Sequence, residues 1–168
     1  PHDGGFEVKA YSRTGKEWKN ISHILQSLVP FFNKYPDVIL DGELYNHDLK
    51  DDFEKIISLV RKQKPTDEDR SEARKLVQFH CYDIVDETLP FSQRDKFILS
   101  AVYNNYDYVR VLPCQQVTSE DSAKKIHKTN LNAGFEGSIL RSDNKYQCKR
   151  SHALRKFKDF SDAEATIV

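Results

Sequence analysis

The chain has 168 residues and a formal net charge of zero, from 26 basic and 26 acidic side chains. This length suits one domain with a core that needs no disulfide or structural metal, and the balanced charge excludes a polycation that binds nucleic acid nonspecifically. Three cysteines without CxxC spacing argue against a disulfide framework and a zinc site, so we expect an intracellular, reducing compartment.

The first half of the chain predicts strands followed by a helix. Polarity alternates over residues 6–11, which is typical of a half-buried strand. Apolar residues flank the Asp-Gly-Glu at 41–43 and predict either a hairpin with an Asp-Gly turn or one bent strand. Residues 52–62 have the period of an amphipathic helix, and the charged stretch 63–74 reads as an exposed loop or helix.

The second half alternates strands and helices again. A buried strand is predicted over 77–85, and Ser92 and Ser119 are suited to cap two amphipathic helices. Further strands are predicted at 135–141, about 153–158 and 163–168. The fold class is therefore α+β, with mainly antiparallel sheets and packed helices in one domain over 1–168. No apolar run approaches the length of a membrane helix.

Two glutamates next to glycines are candidate ligands. We expect Glu43, which follows a glycine in an apolar strand, to be buried and to need a partner. Glu136 precedes Gly137 and another strand. Two such carboxylates could share a divalent cation or a ribose. Taken singly, a hairpin turn at Glu43 and a strand-edge ion pair with lysine at Glu136 are the simpler interpretations.

Basic residues collect near the end of the chain. Along a strand Lys156 and Lys158 point to the same face, where two ammonium groups repel unless an anion lies between them. Six basic residues and no acidic residue occur over 145–158. This asymmetry indicates a phosphate or nucleic-acid face, although a solvated basic strand also fits.

Two further side chains have a candidate role in binding. Arg13 ends a strand before a Thr-Gly turn and suits a bidentate phosphate contact, although a strand-end arginine is ordinarily a surface residue. Tyr82 lies in an aromatic strand and is either part of the core or a platform for a purine base.

In this order, five segments resemble those of the adenylation (nucleotidyltransferase) domain of ATP-dependent DNA ligases, an ATP-grasp-like domain. They are SRTG at 12–15, DGEL at 41–44, YDI at 82–84, EGSILR at 136–141 and KFK at 156–158. The last residues, DAEATIV, resemble the closing strand of that family. Each segment alone is weakly specific, but the resemblance covers nearly the whole chain.

The resemblance implies ATP and Mg²⁺ as cofactors and a reaction that seals nicks through lysyl-AMP and DNA-adenylate intermediates. Lys156 and Lys158 would hold the α-phosphate, which suits a phosphoryl transfer that depends on positioning and charge neutralisation. Glu136 would serve the divalent cation, and Glu43 would contact the ribose or the metal shell. Tyr82 would stack on adenine.

The remaining implied roles concern the leaving group and the DNA. Arg13 would hold a phosphate of the leaving group or of the DNA end, and Arg150 would contact the 5′-phosphate of the nick. Arg141 is the other candidate for DNA contact. The expected partner is nicked double-stranded DNA, and the expected state is a monomer that binds no membrane.

The chain departs from the family pattern at both ends. The family's nucleophilic lysine lies in a K-x-D-G segment before SRxG, and we interpret the Asp-Gly-Gly at 3–5 as the hairpin turn after that segment. No segment resembling the OB-fold domain follows the KFK strand, and the chain contains no methionine. We therefore expect a piece of a longer protein, which alone binds adenine nucleotide weakly and forms no covalent adenylate.

Related enzymes and one noncatalytic function remain as alternatives. RNA ligases and mRNA capping guanylyltransferases share the domain plan, although RNA ligases more often have a lysine at the position of Arg141. NAD-dependent ligases usually have Asp at the position of Glu136, which favours ATP. The chain could also be a noncatalytic nucleic-acid-binding fragment whose nucleotide pocket is vestigial.

Overall fold

A computed structural model of the protein describes residues 7–159. In chain order the elements are α1 (Ser22–Ser27), α2 (Val29–Lys34), β1 (Leu40–Tyr45), a 3₁₀ turn (His47–Leu49), α3 (Phe53–Val60), α4 (Asp67–Leu76), β2 (Gln78–Ile84), α5 (Phe91–Ala101), β3 (Val109–Val111), α6 (Glu120–Asn132), β4 (Ser138–Arg141) and β5 (Leu154–Phe157). This mixture of helices and mainly antiparallel strand pairs confirms the predicted α+β class.

The first sheet has the strand order β1-β2-β3. Strands β1 and β2 are antiparallel, and β3 runs parallel to β2. The register shifts between Asp41 and Gly42, so β1 is one irregular strand and the alternative of an Asp-Gly hairpin turn is wrong. A Cβ at Gly42 would lie 2.5 Å from both the Phe79 ring and the His80 carbonyl oxygen. Only glycine fits where β2 approaches β1 so closely.

The hydrophobic core lies between this sheet and the helices. Phe31 of α2 is fully buried and is the centre of an aromatic cluster. Its ring contacts those of Phe32, Tyr35, Tyr106 and Phe97 at centroid distances of 5.0, 5.2, 6.0 and 6.4 Å. Predicted helix 52–62 forms as α3, which buries Ile56, Leu59 and Val60 in the same core.

The second sheet is the antiparallel pair β4 and β5, with Ser138 opposite Phe157 and Arg141 opposite Leu154. Gly137 precedes β4 and lies so close to the Phe157 carbonyl oxygen that an added Cβ would collide with it. The glycine therefore lets the chain before β4 approach the end of β5. Both strands were predicted from the sequence.

Of the two serines predicted to cap helices, one does so and the other does not. Ser119 caps α6, as predicted, in a reciprocal capping box with Ser122. Ser92, in contrast, lies inside α5, and its predicted capping role is wrong. Asp143 instead accepts hydrogen bonds from the Ser92 N–H (2.7 Å) and hydroxyl (3.0 Å). A carboxylate distant in sequence thus satisfies a free N–H at this helix start.

The predicted strand 6–11 does not form within the part of it that the structure describes. Only Tyr11 pairs, in an isolated bridge with Glu17. The charged stretch that follows α3 forms α4, which begins at a capping box of Thr66 and Asp69. The predicted turn at 3–5 and strand at 163–168 lie outside the described residues. No helix within 7–159 is long and apolar enough to cross a membrane.

Candidate active site

The face of the first sheet opposite the core carries the first group of candidate residues. Glu43 lies opposite His80 in the β1–β2 register. Side chains alternate across a strand, so Tyr82 shares the His80 face while Cys81 and Asp83 point to the buried side. Glu43 is exposed, and the prediction that it is buried was wrong. Its neighbour Leu44 packs against the core instead.

Tyr82 is half-buried beside charged groups. The Arg141 guanidinium carbon lies 5.4 Å from the centroid of the Tyr82 ring. Burial, and then the nearby carboxylates of Asp41 and Glu43, raise the pKa of Tyr82 to about 12. The hydroxyl therefore stays protonated at neutral pH, and the ring lies close to the two carboxylates of the DGEL segment.

A buried ionic network lies behind Tyr82. Asp83 is 2% exposed and receives two bonds from Arg94, Nε to Oδ1 at 2.7 Å and Nη2 to Oδ2 at 3.1 Å. Arg141 adds a third, Nη1 to Oδ2 at 2.6 Å, and its guanidinium lies 4.7 Å from the Phe91 centroid. Arg141 is thus largely committed to Asp83, and its contact with DNA stays a prediction.

The second group of candidate residues lies on the second sheet. Lys158 forms an ion pair with Glu136, which is 83% exposed. The adjacent Lys158, and more weakly Lys156, hold the pKa of the Glu136 carboxyl below its usual value. Lys156 is exposed on β5 opposite Ile139. The structure therefore brings together the acidic and basic residues that the sequence separates by about twenty positions.

An aromatic contact connects the two groups. His47, just after β1, stacks on Phe135 with a centroid distance of 4.3 Å, and its Nε2 lies 2.9 Å from the Ala133 carbonyl oxygen. Phe135 immediately precedes Glu136. The start of the Glu-Gly segment is therefore fixed beside the end of the strand that carries Glu43.

Two predicted residues lie apart from these contacts. Arg13 is exposed in a turn where Ser12 bonds Lys16 and Gly15 has a φ of +78°, a conformation that favours glycine. Arg150 is exposed in the segment between β4 and β5. No contact of either side chain with the other candidates is observed among residues 7–159, and their phosphate roles stay predictions.

Two residues of the site were missed from the sequence. The Tyr146 hydroxyl donates to Asp41 Oδ2 at 2.8 Å and ties the β4–β5 loop to the DGEL segment. Ile139 is 50% exposed on the strand face that carries Lys156. The sequence signal for Ile139 was its place in the short apolar run of β4 with Leu140, which does not distinguish a binding surface from a core position.

The site offers few metal ligands. Over residues 7–159 no group of three or more His, Cys, Asp or Glu side chains could hold a metal ion. A surface depression along α4 contains none of the predicted residues. Its charged lining is mainly acidic, which disfavours phosphate: Asp67, Glu68 and Glu72 against the single Lys75. A cation here would take ligands from single carboxylates and from a bound phosphate.

His80 makes stability depend on pH. Burial, and then Arg110 and His47, lower the pKa of His80 to about 4. The unfolded state then binds more protons than the native state, so the free energy of unfolding falls as pH drops from about 6.5 to 4.

Replacing His80 with glutamine should make the free energy of unfolding less sensitive to pH. We expect His80→Gln to reduce the loss of stability at low pH by about 1 kcal/mol, a modest amount because the half-buried ring is partly screened by water. Urea unfolding at pH 7 and pH 4.5 measures the difference; an unchanged pH slope would contradict this account.

Comparisons with known proteins show the family of the chain. The sequence model of a family described as "ATP dependent DNA ligase domain" matches residues 2–158. DNA ligase of African swine fever virus (isolate Warthog/Namibia/Wart80/1980) is 28% identical over 98% of this chain and 40% of its own length. DNA ligase of Enterobacteria phage T4 is 37% identical over 42% of this chain and 15% of its own length. The chain thus spans well under half of these curated relatives.

Solved structures share the fold. A structure described as "Pmar-Lig_Pre." superposes with a TM-score of 0.70 and 20% identity over 91% of this chain and 38% of its own. Another, described as "DNA binding with a minimal scaffold: Structure-function analysis of Lig E DNA ligases", has a TM-score of 0.69 and 19% identity over 91% of this chain and 56% of its own.

Proposed function

The chain belongs to the ATP-dependent DNA ligase family as its adenylation domain, and we propose that the complete protein uses ATP to seal nicks in double-stranded DNA. A lysine of the enzyme attacks the α-phosphate of ATP, forms lysyl-AMP and releases pyrophosphate. The DNA 5′-phosphate then takes the adenylate and frees the lysine, and a 3′-hydroxyl attacks this phosphate and displaces AMP. Each step moves a phosphoryl group, so catalysis rests on positioning and charge neutralisation. DNA replication, repair and recombination are the processes that produce such nicks.

The ion pair of Glu136 and Lys158, with Lys156 close enough to act on the Glu136 carboxyl, is the main support for this function. An α-phosphate bound beside these residues would contact both lysines and offset the repulsion between their ammonium groups. Glu136 neutralises Lys158 in the structure. A bound phosphate would replace Glu136 as the partner of Lys158 and leave the Glu136 carboxylate available.

We place the adenine ring between the Tyr82 ring and the exposed Ile139 side chain. Tyr82 offers an aromatic surface beside Glu43, which would accept a hydrogen bond from a ribose hydroxyl. Ile139 contributes apolar area on the sheet that carries the lysines. This placement puts the base, sugar and phosphate in line from the first sheet to the second.

Tyr82 provides a test of base stacking. We expect Tyr82→Phe to leave nucleotide affinity nearly unchanged and Tyr82→Leu to weaken it about tenfold, because stacking contributes roughly 1–3 kcal/mol through the ring face. Calorimetric titration of AMP measures both affinities. Equal damage from the two variants would instead assign the effect to the hydroxyl.

Mg²⁺ is the divalent cation that we propose for this site. Glu136 is the exposed carboxylate next to the lysines, and Glu43 is exposed on β1. One or two such carboxylates together with nucleotide phosphates are the usual ligand set of this ion. The cation would supply further charge neutralisation at the transferred phosphate.

The DNA contacts are assigned to the basic residues outside the nucleotide site. Arg150 lies in a loop held in place by Tyr146 and by Asn144, whose carbonyl accepts from Arg94 at 3.0 Å. A loop fixed at this end would present Arg150 to the 5′-phosphate of the nick. Arg13 would contact a phosphate of the leaving group or of the DNA end. We propose that the protein acts as a monomer on nicked duplex DNA.

Sealing assays on the complete ligase test this function. The ligase is incubated with ATP, Mg²⁺ and a labelled duplex that has one nick. In one reaction the strands at the nick are DNA, and in a separate reaction they are RNA. We expect efficient sealing of the DNA nick and no sealing when NAD replaces ATP. Preferential sealing of RNA would favour an RNA ligase, and nucleotide binding without sealing would favour a noncatalytic nucleic-acid-binding role.

A further inference from the structure

His127 of α6 lies directly behind the strand that carries the two lysines. It is 4% exposed, and its ring stacks on Phe157 with a centroid distance of 3.8 Å and an interplanar angle of 14°. Its Nδ1 lies 3.1 Å from the Ser138 hydroxyl oxygen and its Nε2 lies 3.1 Å from Asp159 Oδ1. One imidazole therefore contacts both strands of the second sheet and the residue after Lys158.

The contacts of His127 alternate with the candidate phosphate ligands. Lys156 and Phe157 point to opposite faces of β5 because side chains alternate along a strand. Lys158 follows directly after β5, and the same alternation extended by one residue puts it on the Lys156 face. His127 holds this opposite face. Because Asp159 is covalently next to Lys158, the His127–Asp159 contact restrains the backbone from which the Lys158 side chain extends.

Hydrogen bonds connect His127 to Ser138 and Asp159 and, through Ser138, to Asn130. Asn130 Nδ2 donates to the Ser138 hydroxyl oxygen at 2.9 Å, and the same hydroxyl oxygen lies 3.1 Å from His127 Nδ1. His127 Nε2 contacts Asp159 Oδ1 at 3.1 Å. Both nitrogens of the His127 ring have a partner, so the ring has one preferred orientation.

We propose that His127 is a positioning residue for the α-phosphate site: it fixes β5 against β4 so that Lys156 and Lys158 stay aligned with Glu136. This inference rests on the proposed function, because it takes the two lysines as phosphate ligands. His127 itself would not touch the nucleotide. Nothing in the sequence pattern of α6 distinguishes His127 from an ordinary buried helix residue.

The test compares AMP with adenosine, which lacks the phosphate, in calorimetric titrations of the 168-residue chain. We expect His127→Phe, which keeps an aromatic ring on Phe157 but loses both hydrogen bonds, to weaken AMP binding about tenfold and leave adenosine binding unchanged. Asp159→Ala should show a smaller loss in the same direction. Asp159 is 70% exposed, so this variant carries little risk of unfolding. Asp159→Asn keeps an acceptor oxygen and should restore AMP binding.

His23→Phe is the matched control. His23 is also a buried helix histidine, with its Nε2 3.0 Å from the Val77 carbonyl oxygen and its ring 4.9 Å from Tyr108. It has no contact with the second sheet among the described residues, so its replacement should leave the ratio of AMP to adenosine affinity unchanged. If His127→Phe weakens AMP and adenosine binding equally, or if neither His127→Phe nor Asp159→Ala changes the ratio of the two affinities, the inference about His127 is wrong while the proposed function still stands. No preference for AMP in the unsubstituted chain would overturn the phosphate role of the lysines and the inference with it.

Discussion

Replacing Asp83 with alanine is expected to lower the free energy of unfolding by about 3–5 kcal/mol. The carboxylate is 2% exposed and is the shared partner of Arg94 and Arg141, whose side chains are 4% and 14% exposed. Its removal leaves two guanidinium groups that are largely screened from water and have lost their counter-charge. Breaking a buried ion pair from one side is costly for this reason, even where the intact pair contributes little.

Urea unfolding of the 168-residue chain at pH 7 measures this loss. Glu120→Ala is the control, because it breaks the exposed pair of Glu120 and Lys124 and should cost no more than about 0.5 kcal/mol. Asp83→Asn should also destabilise, since the amide keeps the shape but not the charge. A loss below about 1 kcal/mol for Asp83→Ala would show that the arginines find water or other partners.

Lys158→Ala in the complete ligase is expected to slow formation of the lysyl-adenylate by about 10²–10³-fold. In the proposed site the side chain supplies one of two positive charges beside the α-phosphate, and removing one positioned donor to a reacting oxyanion typically has an effect of this size. Single-turnover assays with labelled ATP measure the rate of the adenylation step apart from nick sealing.

Two further variants sharpen the result for Lys158. Lys124→Ala removes a lysine that is also ion-paired, but on α6 and 59% exposed, and should leave the rate unchanged. Lys158→Arg should restore the rate only in part, because a forked guanidinium does not replace a compact ammonium at one phosphate oxygen. Full activity of Lys158→Ala would refute the phosphate role, and full activity of Lys158→Arg would show that charge alone suffices.

Local patterns predicted the elements whose boundaries depend on local chemistry. The helix over 52–62, the strand over 77–85 and the cap at Ser119 were all predicted, because apolar period and side-chain capping act over a few residues. The order of the five short segments predicted the family. Each segment alone is weakly specific, but all five in this order along one chain are highly specific.

The features that were missed depend on contacts distant in sequence. An Asp-Gly pair favours a hairpin, but Gly42 is required because Phe79 of β2 lies against it, which no local pattern reveals. Ser92 has the side chain of a cap, but Asp143 binds that helix start instead. Glu43 was expected to be buried because its neighbours are apolar, yet β1 buries only one of its two faces.

The candidate site shows the same division. Charge and spacing in the sequence made Glu136, Lys156 and Lys158 candidates, and the structure places Glu136 against Lys158. The sequence did not reveal the ion pair of Arg141 with Asp83 or the stacking of His127 on Phe157, because each contact joins residues from separate segments. Spacing identifies the groups that could meet a ligand, whereas packing decides which groups hold them in place.

The 168-residue chain is expected to bind an adenine nucleotide between the two sheets. Backbone-resolved NMR of the isotope-labelled chain, titrated with AMP to millimolar concentration, tests it most directly. We expect saturable shifts in the amide signals of Tyr82, Glu136–Ile139 and Lys156–Lys158, with the α4 signals unchanged, even if the affinity is weak. Saturable shifts confined to α4, or none that saturate near Tyr82 and the lysines, would contradict the account.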